Sequence, residues 1–307
     1  MSNALFRTRA LIGIAAIVSV SMLGVYVWVR EHRLPALEMH VFSLRSGYAA
    51  FIQTPDDRRI LIDGGPNGEI VRKISSILPF YSRRIDAIVA TETDGDAISG
   101  LIDVLERYQV GRMYIPAVTL GSIGISTSTD PAYHALCESA ARRGVEVVEL
   151  ESGDHIESGD DRAVGIKAVF PVDGAQFEYS KASAPRVILE VTYDGHSILL
   201  LGDVSIKAQK FIAESAGRMD IAVFSQNASP ANVSRELMMA MRPEYLVYSK
   251  AVTASRPRDK DSDKTQKKPL PDPVAGILMG NRFNLKEVGT VHIVIDGTSM
   301  RVSVSHE

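Results

Sequence analysis

Residues 85–100 read IDAIVATETDGDAISG, an apolar run that leads into a carboxylate-bearing turn and then into a second apolar pattern. The run that ends at Ala90 predicts a buried strand, and the later apolar residues recur at helical spacing. The segment therefore predicts a strand, a loop and a helix, with Asp96 as the N-cap that accepts first-turn backbone N–H groups. Ligands of open α/β sheets collect at the carboxyl ends of strands, so this loop is where a functional site is expected.

Five carboxylates that follow strands are the candidate site residues. They are Asp63 in ILIDGGP, Glu92, Asp94 and Asp96 in the loop above, and Asp203 in LLLGDV. An all-oxygen cluster suits Mg²⁺, Mn²⁺ or Ca²⁺ better than Zn²⁺, and such an ion can activate water against a phosphodiester. The alternative needs no metal, because Asp96 and Asp203 can cap helices, Asp94 can shape a turn and Asp63 can satisfy backbone amides. These local roles favour the alternative without excluding the metal site.

The motifs and their order resemble the metallo-β-lactamase-fold domain of ComEC-type DNA-uptake proteins. That family carries Thr-His-Pro-Asp-Ala-Asp-His-Ile-Gly-Gly at this strand end, which Thr91, Asp94, Asp96, Ile98 and Gly100 match. A later Gly-Asp, whose aspartate can bridge two metals in the family, is kept as Gly202 and Asp203. The resemblance implies an α+β fold, a metallo-β-lactamase-like αββα sandwich preceded by one N-terminal transmembrane helix.

Four histidine positions of that family hold other residues in this chain. They are occupied by Glu92, Ala97, Gln226 and Asn227. A zinc site needs three or four convergent nitrogen, sulfur or carboxylate ligands, so the binuclear centre of the family is not expected to assemble. We therefore expect no cofactor and no tightly bound zinc, with Mg²⁺ or Mn²⁺ at the carboxylate cluster as the alternative. For each of the seven histidines, His40 and His292 among them, a surface or half-buried structural role is expected.

Residues 10–29 read ALIGIAAIVSVSMLGVYVWV and contain no charge. At about 1.5 Å per residue such a helix spans a hydrocarbon core of roughly 30 Å, which predicts a single-pass membrane anchor. A cleaved signal peptide is the competing interpretation, but the apolar part is long and no small-x-small site precedes Arg30. Basic residues on both sides nearly cancel the positive-inside signal, so the extracytoplasmic orientation of the globular domain is taken from the resemblance.

The predicted organisation has four parts. It comprises a cytoplasmic N-terminus at 1–9, the anchor at 10–29, a linker at 30–38 and a metallo-β-lactamase-like domain at 39–307. Within that domain, residues 253–272 are charged, contain proline and lack large apolar side chains, which predicts a mobile insertion.

Composition restricts the functional classes. The net charge of −3 argues against a generally basic nucleic-acid-binding surface. A single cysteine, Cys137, excludes an internal disulfide and a cysteine-based zinc cluster.

Three functions remain. The first is a membrane-anchored pseudoenzyme of the ComEC-like type that acts in binding or assembly with an unidentified protein partner. The second is a metal-dependent hydrolase, a phosphodiesterase or nuclease, and the third is a structural scaffold in the cell envelope. Nucleic acid as a partner enters only through the resemblance.

Overall fold

The computed structural model describes residues 13–14, 16–22, 24–25, 35–117, 130–158, 164–170, 186–202, 204–225, 233–249, 281–297 and 299–305. The chain divides into two units, Met1–Pro35 and Ala36–Glu307. In the first unit the described residues between 13 and 25 are helical, and apolar side chains such as Ile17 and Val20 are exposed. No helix within the described ranges is long and apolar enough to cross a bilayer. The insertion predicted at 253–272 lies outside the described residues.

The described part of the second unit contains alternating strands and helices. The strands are β1 (Ala36–Ser43), β2 (Tyr48–Gln53), β3 (Arg59–Ile62), β4 (Arg84–Val89), β5 (Gln109–Pro116), β6 (Glu146–Leu150), β7 (Gly165–Phe170), β8 (Ile188–Tyr193), β9 (His196–Gly202), β10 (Ile221–Phe224), β11 (Tyr245–Tyr248), β12 (Asn281–Asn284), β13 (Thr290–Asp296) and β14 (Ser299–Ser305). The helices are α1 (Glu69–Ile77), α2 (Gly95–Arg107), α3 (Pro131–Arg143), α4 (Ile206–Ser215), α5 (Arg235–Met241) and α6 (Leu285–Val288).

The strands form two mixed sheets. The larger has the order β14-β13-β1-β2-β3-β4-β5-β6, and the smaller has the order β12-β11-β10-β9-β8-β7. β3 to β6 run parallel, and so do β9 to β12. Parallel strands deliver their carboxyl ends to one edge of a sheet, so each sheet has one edge on which successive loops converge.

Three apolar layers hold the sheets and helices together. The central layer joins both sheets, with Met39 and Val41 of β1 in the same cluster as Val191 of β8 and Val223 of β10. A second layer packs α1, α2 and α3 on the outer face of the larger sheet. A third packs α4 and α5 on the outer face of the smaller sheet. The result is the four-layer αββα arrangement that was predicted, because each sheet has an apolar inner face and packs its helices on the apolar part of its outer face.

Several element boundaries differ from those predicted. β1 begins at Ala36, so the folded unit starts inside the linker predicted over 30–38. The sequence analysis also missed β6, β11, β12 and α5. β6 lies at the edge of its sheet and is largely exposed, while the other three are only four to seven residues long, so their periodicity is weak.

Candidate functional site

A small cleft lies where loops from both sheets meet. Asp63 follows β3, Glu92 follows β4, Gly202 ends β9 and Ser225 follows β10, and all four line it. The turn between β1 and β2 completes the lining, with the Ser249 hydroxyl donating to the Gly47 carbonyl at 3.1 Å. The cleft has a volume of about 100 Å³. Pockets for drug-sized ligands measure roughly 300–1,000 Å³, so this one suits an ion or one small group.

Asp63 lies at the floor of the cleft and is 3% exposed. Its carboxylate accepts hydrogen bonds from the Thr91 amide at 2.8 Å and from the Thr91 hydroxyl at 2.7 Å. Burial raises the pKa of Asp63 to about 6, although the hydrogen bonds from Thr91 and the charge of Arg186 oppose this shift. Asp63 was predicted to satisfy backbone amides of the Gly-Gly turn, but the amides of Gly64 and Gly65 donate to the Ala97 carbonyl, and Asp63 accepts from Thr91 across the strands.

Glu92, at the family's first histidine position, forms an ion pair with Arg186. Arg186 Nη1 lies 2.5 Å from Glu92 Oε2, and the two side chains are 21% and 13% exposed. The backbone supports this pair, because Glu92 and Arg186 form an isolated antiparallel bridge and the Val187 amide donates to the Thr91 carbonyl at 2.7 Å. A guanidinium therefore supplies positive charge inside the cleft.

Asp94 and Asp96 lie on the exposed rim of the cleft. The predicted N-cap at Asp96 is wrong: Asp94 has the extended backbone of a cap, and its side chain accepts from the Asp96 amide at 3.0 Å. Asp96 lies within the first turn of α2, and its carboxylate accepts from the Ser46 hydroxyl at 3.3 Å. The helix starts at Gly95, two residues earlier than a cap at Asp96 requires, so the cap is Asp94.

The remaining predicted site residues fall partly outside the described ranges. Asp203, Gln226 and Asn227 are not among the described residues. The helix cap predicted at Asp203 is nevertheless wrong, because α4 begins at Ile206 and its N-cap is Ser205, which accepts from the Ala208 amide at 3.3 Å. Ala97, at the family's last histidine position of the first segment, lines the cleft without a ligand atom.

Tyr48 is a cleft residue that the sequence analysis did not select. It is 4% exposed, and burial together with the nearby charges of Asp63 and Glu92 raises the pKa of its phenol well above the ordinary value of 10.0. The phenol therefore stays protonated at neutral pH and offers a hydrogen-bond donor next to two carboxylates. The sequence carried one signal for Tyr48. The resemblance expects Gly-Gln-Gly-Asp at the turn between β1 and β2, and this chain has Arg-Ser-Gly-Tyr, which ends at Tyr48.

The cleft does not fit the zinc pair of the family. Glu92 faces a guanidinium, Ala97 has no donor atom, and Asp94 caps a helix. Within the described residues, the carboxylates of the cleft do not bring three ligand atoms within 4.8 Å of one another. Asp63, Glu92, Asp94 and Asp96 therefore each have a partner or a role within the protein itself.

One histidine-containing cluster does converge, away from the cleft. Single ligand atoms of Glu38, His40 and His292 all lie within 4.8 Å of one another. Both histidines are half-buried, as expected, but their proximity to each other and to Glu38 was not predicted. The histidines are far apart in sequence, and only the pairing of β1 with β13 brings them together.

Comparison with known proteins supports the fold. No family model matches the sequence, and no curated protein matches it. Among solved structures, the chain is similar to the metallo-β-lactamase fold protein YhfI from Bacillus subtilis, with a TM-score of 0.50 and 8% identity over 87% of this chain and 100% of that one. It is also similar to Zn²⁺-bound PqqB from Methylobacterium extorquens, with a TM-score of 0.47 and 11% identity over 69% of this chain and 88% of that one. The fold is thus of the metallo-β-lactamase type.

Asp63 generates a prediction about pH. Its pKa is about 6 in the folded protein against an ordinary 3.8, so the folded state binds the proton more tightly than the unfolded chain does. Stability from this group therefore decreases as pH rises from about 4 to about 6, by about 2–3 kcal/mol. Asp63→Asn removes this titration. The unfolding free energy of the wild type minus that of the variant should therefore fall by about 2–3 kcal/mol between about pH 4 and about pH 6.

The measurement is chemical denaturation of both proteins between pH 4 and pH 7. Asp194→Asn is the matched control, because Asp194 also has a positive φ, of 50° against 58° for Asp63, but lies in an exposed turn. This variant measures what the same substitution does at a positive φ in an exposed turn, and the pH dependence of Asp63→Asn is compared with it. A stability difference for Asp63→Asn that stays constant with pH would contradict the raised pKa.

Proposed function

We propose that this chain is a membrane-anchored, ComEC-like protein whose metallo-β-lactamase-fold cleft binds a partner and does not catalyse hydrolysis. The ion pair between Arg186 and Glu92 carries the proposal. Arginine stays protonated at any physiological pH, so its guanidinium cannot act as a base. It also repels a divalent cation from the place where the family's first histidine would bind one.

The cleft has the properties of a small recognition site. Its volume of about 100 Å³ accommodates one functional group, and its rim carries the exposed carboxylates of Asp94 and Asp96. Hydroxyls of Ser46 and Ser225 add neutral hydrogen-bonding groups. A basic side chain that projects from a partner protein matches this chemistry, since charge-assisted hydrogen bonds to carboxylates are the stronger kind.

A metal-dependent hydrolase is the second candidate, and Asp63 favours it. A buried carboxyl with a pKa of about 6 is suited to general acid–base chemistry near neutral pH. In that case Asp63, Glu92, Asp94, Asp96 and Asp203 would hold Mg²⁺ or Mn²⁺ after displacement of Arg186. The hydrolase requires Arg186 to move away from Glu92, whereas the binding function keeps this ion pair.

Removal of Arg186 tests the ion pair itself. Arg186→Gln takes away the cationic partner of a largely buried carboxylate, so we expect a loss of about 2–3 kcal/mol in unfolding free energy. Arg142→Gln is the control, because the pair of Arg142 with Glu138 has side chains that are 61% and 75% exposed. Its loss should stay below about 0.5 kcal/mol.

The double variant Arg186→Gln/Glu92→Gln should recover most of the stability, since no charge is then left buried. Equal small losses for Arg186→Gln and Arg142→Gln, measured by denaturant unfolding, would show that the ion pair does not organise the cleft.

Turnover separates the two candidate functions. Full-length protein in mild detergent should hydrolyse neither a generic phosphodiester nor single-stranded DNA above a chelator-treated control, with Mg²⁺, Mn²⁺ or Ca²⁺ supplied. Asp94→Asn should leave the protein folded and equally without turnover, because asparagine also caps helices well. Manganese-dependent cleavage that disappears in Asp94→Asn would establish the hydrolase and reject the binding function.

The anchor is also testable. We expect residues 10–29 to remain in the mature protein, so membranes washed with alkaline carbonate should retain the chain. Intact-mass measurement should show an N-terminus before residue 10. Release by carbonate, or a mature N-terminus near Arg30, would instead identify a cleaved signal peptide.

A further inference from the structure

We propose that Glu38, His40 and His292 form a binding site for a divalent transition-metal ion of the zinc type, separate from the cleft. Their ligand atoms lie within 4.8 Å of one another, and none of the three residues lines the cleft. The site combines two imidazoles with one carboxylate. Nothing in the proposed function of the cleft depends on it.

The β-sheet itself places the three side chains together. Glu38 and His40 are two residues apart on β1, so they project from the same face of the sheet. His40 is the register partner of His292 on the antiparallel strand β13. Directly opposed residues have Cβ atoms about 4.5–5.5 Å apart, which brings their side chains into contact. The ligand set therefore rests on regular strands and not on a loop.

The face that carries the site is the outer one of the larger sheet. Met39 and Val41, which alternate with the site residues, point into the central core between the sheets. Phe42, on the same face as His40, packs in the outer layer, and its ring is stacked on that of His40 with centroids 6.0 Å apart. The aromatic neighbour restricts the imidazole of His40, which limits the entropy lost when a metal binds.

The two imidazoles stack face to face, and a metal binds an imidazole nitrogen in the plane of its ring, so one ring must turn about its side-chain bonds for both to bind one ion. Their ring centroids are 4.2 Å apart, and the planes differ by 7°. Nε2 of His292 is buried and has no hydrogen-bond partner within the described part of the chain. It lies 3.6 Å from Glu38 Oε2, beyond a hydrogen bond but suited to two atoms that share a cation between them.

The donor set selects the class of metal. Imidazole nitrogens favour Zn²⁺, Cu²⁺, Ni²⁺ and Co²⁺, whereas Mg²⁺ and Ca²⁺ prefer oxygen ligands alone. Three protein ligands leave a fourth tetrahedral position for water or an external ligand. The Glu38 side chain is 47% exposed and that of His292 is 30% exposed, so an ion can reach the site from solvent.

Such an ion would join two distant parts of the chain. β1 is the first strand of the folded unit, and β13 belongs to the C-terminal hairpin with β14. A metal that bridges residues far apart in sequence restricts the unfolded chain strongly, so binding should stabilise the native state. A bound ion would therefore link β1 to the C-terminal hairpin and stabilise the folded domain.

The experiment uses full-length protein in mild detergent, stripped with a chelator and then dialysed against Zn²⁺. We expect about one zinc ion per chain by elemental analysis, and a rise in the thermal midpoint on adding Zn²⁺. His40→Gln and His292→Gln should each weaken zinc binding at least tenfold, and Glu38→Gln should weaken it by a smaller factor. Circular dichroism verifies that each variant is folded.

Two controls locate the ion. His134→Gln removes an exposed histidine of α3 and should leave the stoichiometry unchanged. Asp96→Asn changes the rim of the cleft and should also leave it unchanged. Absence of zinc from the wild type, equal retention by folded His292→Gln, or loss caused by Asp96→Asn would each overturn the proposal. If both histidine variants fail to fold, Glu38→Gln decides, because unchanged affinity in that variant excludes this ligand set.

Discussion

The cleft depends on a close backbone contact between the turn after β3 and the first turns of α2. The amides of Gly64 and Gly65 both donate to the Ala97 carbonyl, at 2.8 and 2.7 Å, and the Gly100 amide donates to the Gly65 carbonyl at 2.8 Å. A Cβ atom on Gly100 would lie 2.6 Å from the Asn67 carbonyl oxygen, which is too close for any side chain. Glycine at these positions therefore permits the approach that sets Asp63 beside Thr91.

That contact brings several carboxylates together at a partly buried site, where uncompensated negative charge destabilises the folded state. In a metal centre the cations would compensate the negative charge. Here Glu92 is compensated by Arg186, whereas Asp63 is compensated by two hydrogen bonds and by a raised pKa. The two remaining carboxylates, Asp94 and Asp96, stay hydrated on the rim. Among the described residues, the protein itself thus compensates the buried charges of Glu92 and Asp63.

Strand β1 connects the cleft to the histidine cluster. Its carboxyl end leads into the turn with Ser46, Gly47 and Tyr48, which lines the cleft. Before that turn, β1 carries Glu38 and His40 on the outer face of the sheet. Lys286 holds the turn from the other side, because its ammonium donates to the carbonyls of Leu44 and Arg45. The histidine cluster and the cleft therefore lie at different positions along β1.

Local pattern in the sequence determined the strand, the loop and the helix around Glu92. Each of these depends on residues close together in the chain, so periodicity and turn chemistry were sufficient. The cap at Asp94 depended on a two-residue difference in where the helix starts, which periodicity does not resolve. The pairing of Arg186 with Glu92 and that of His40 with His292 join segments far apart in sequence, so only strand register in the folded sheets could decide them.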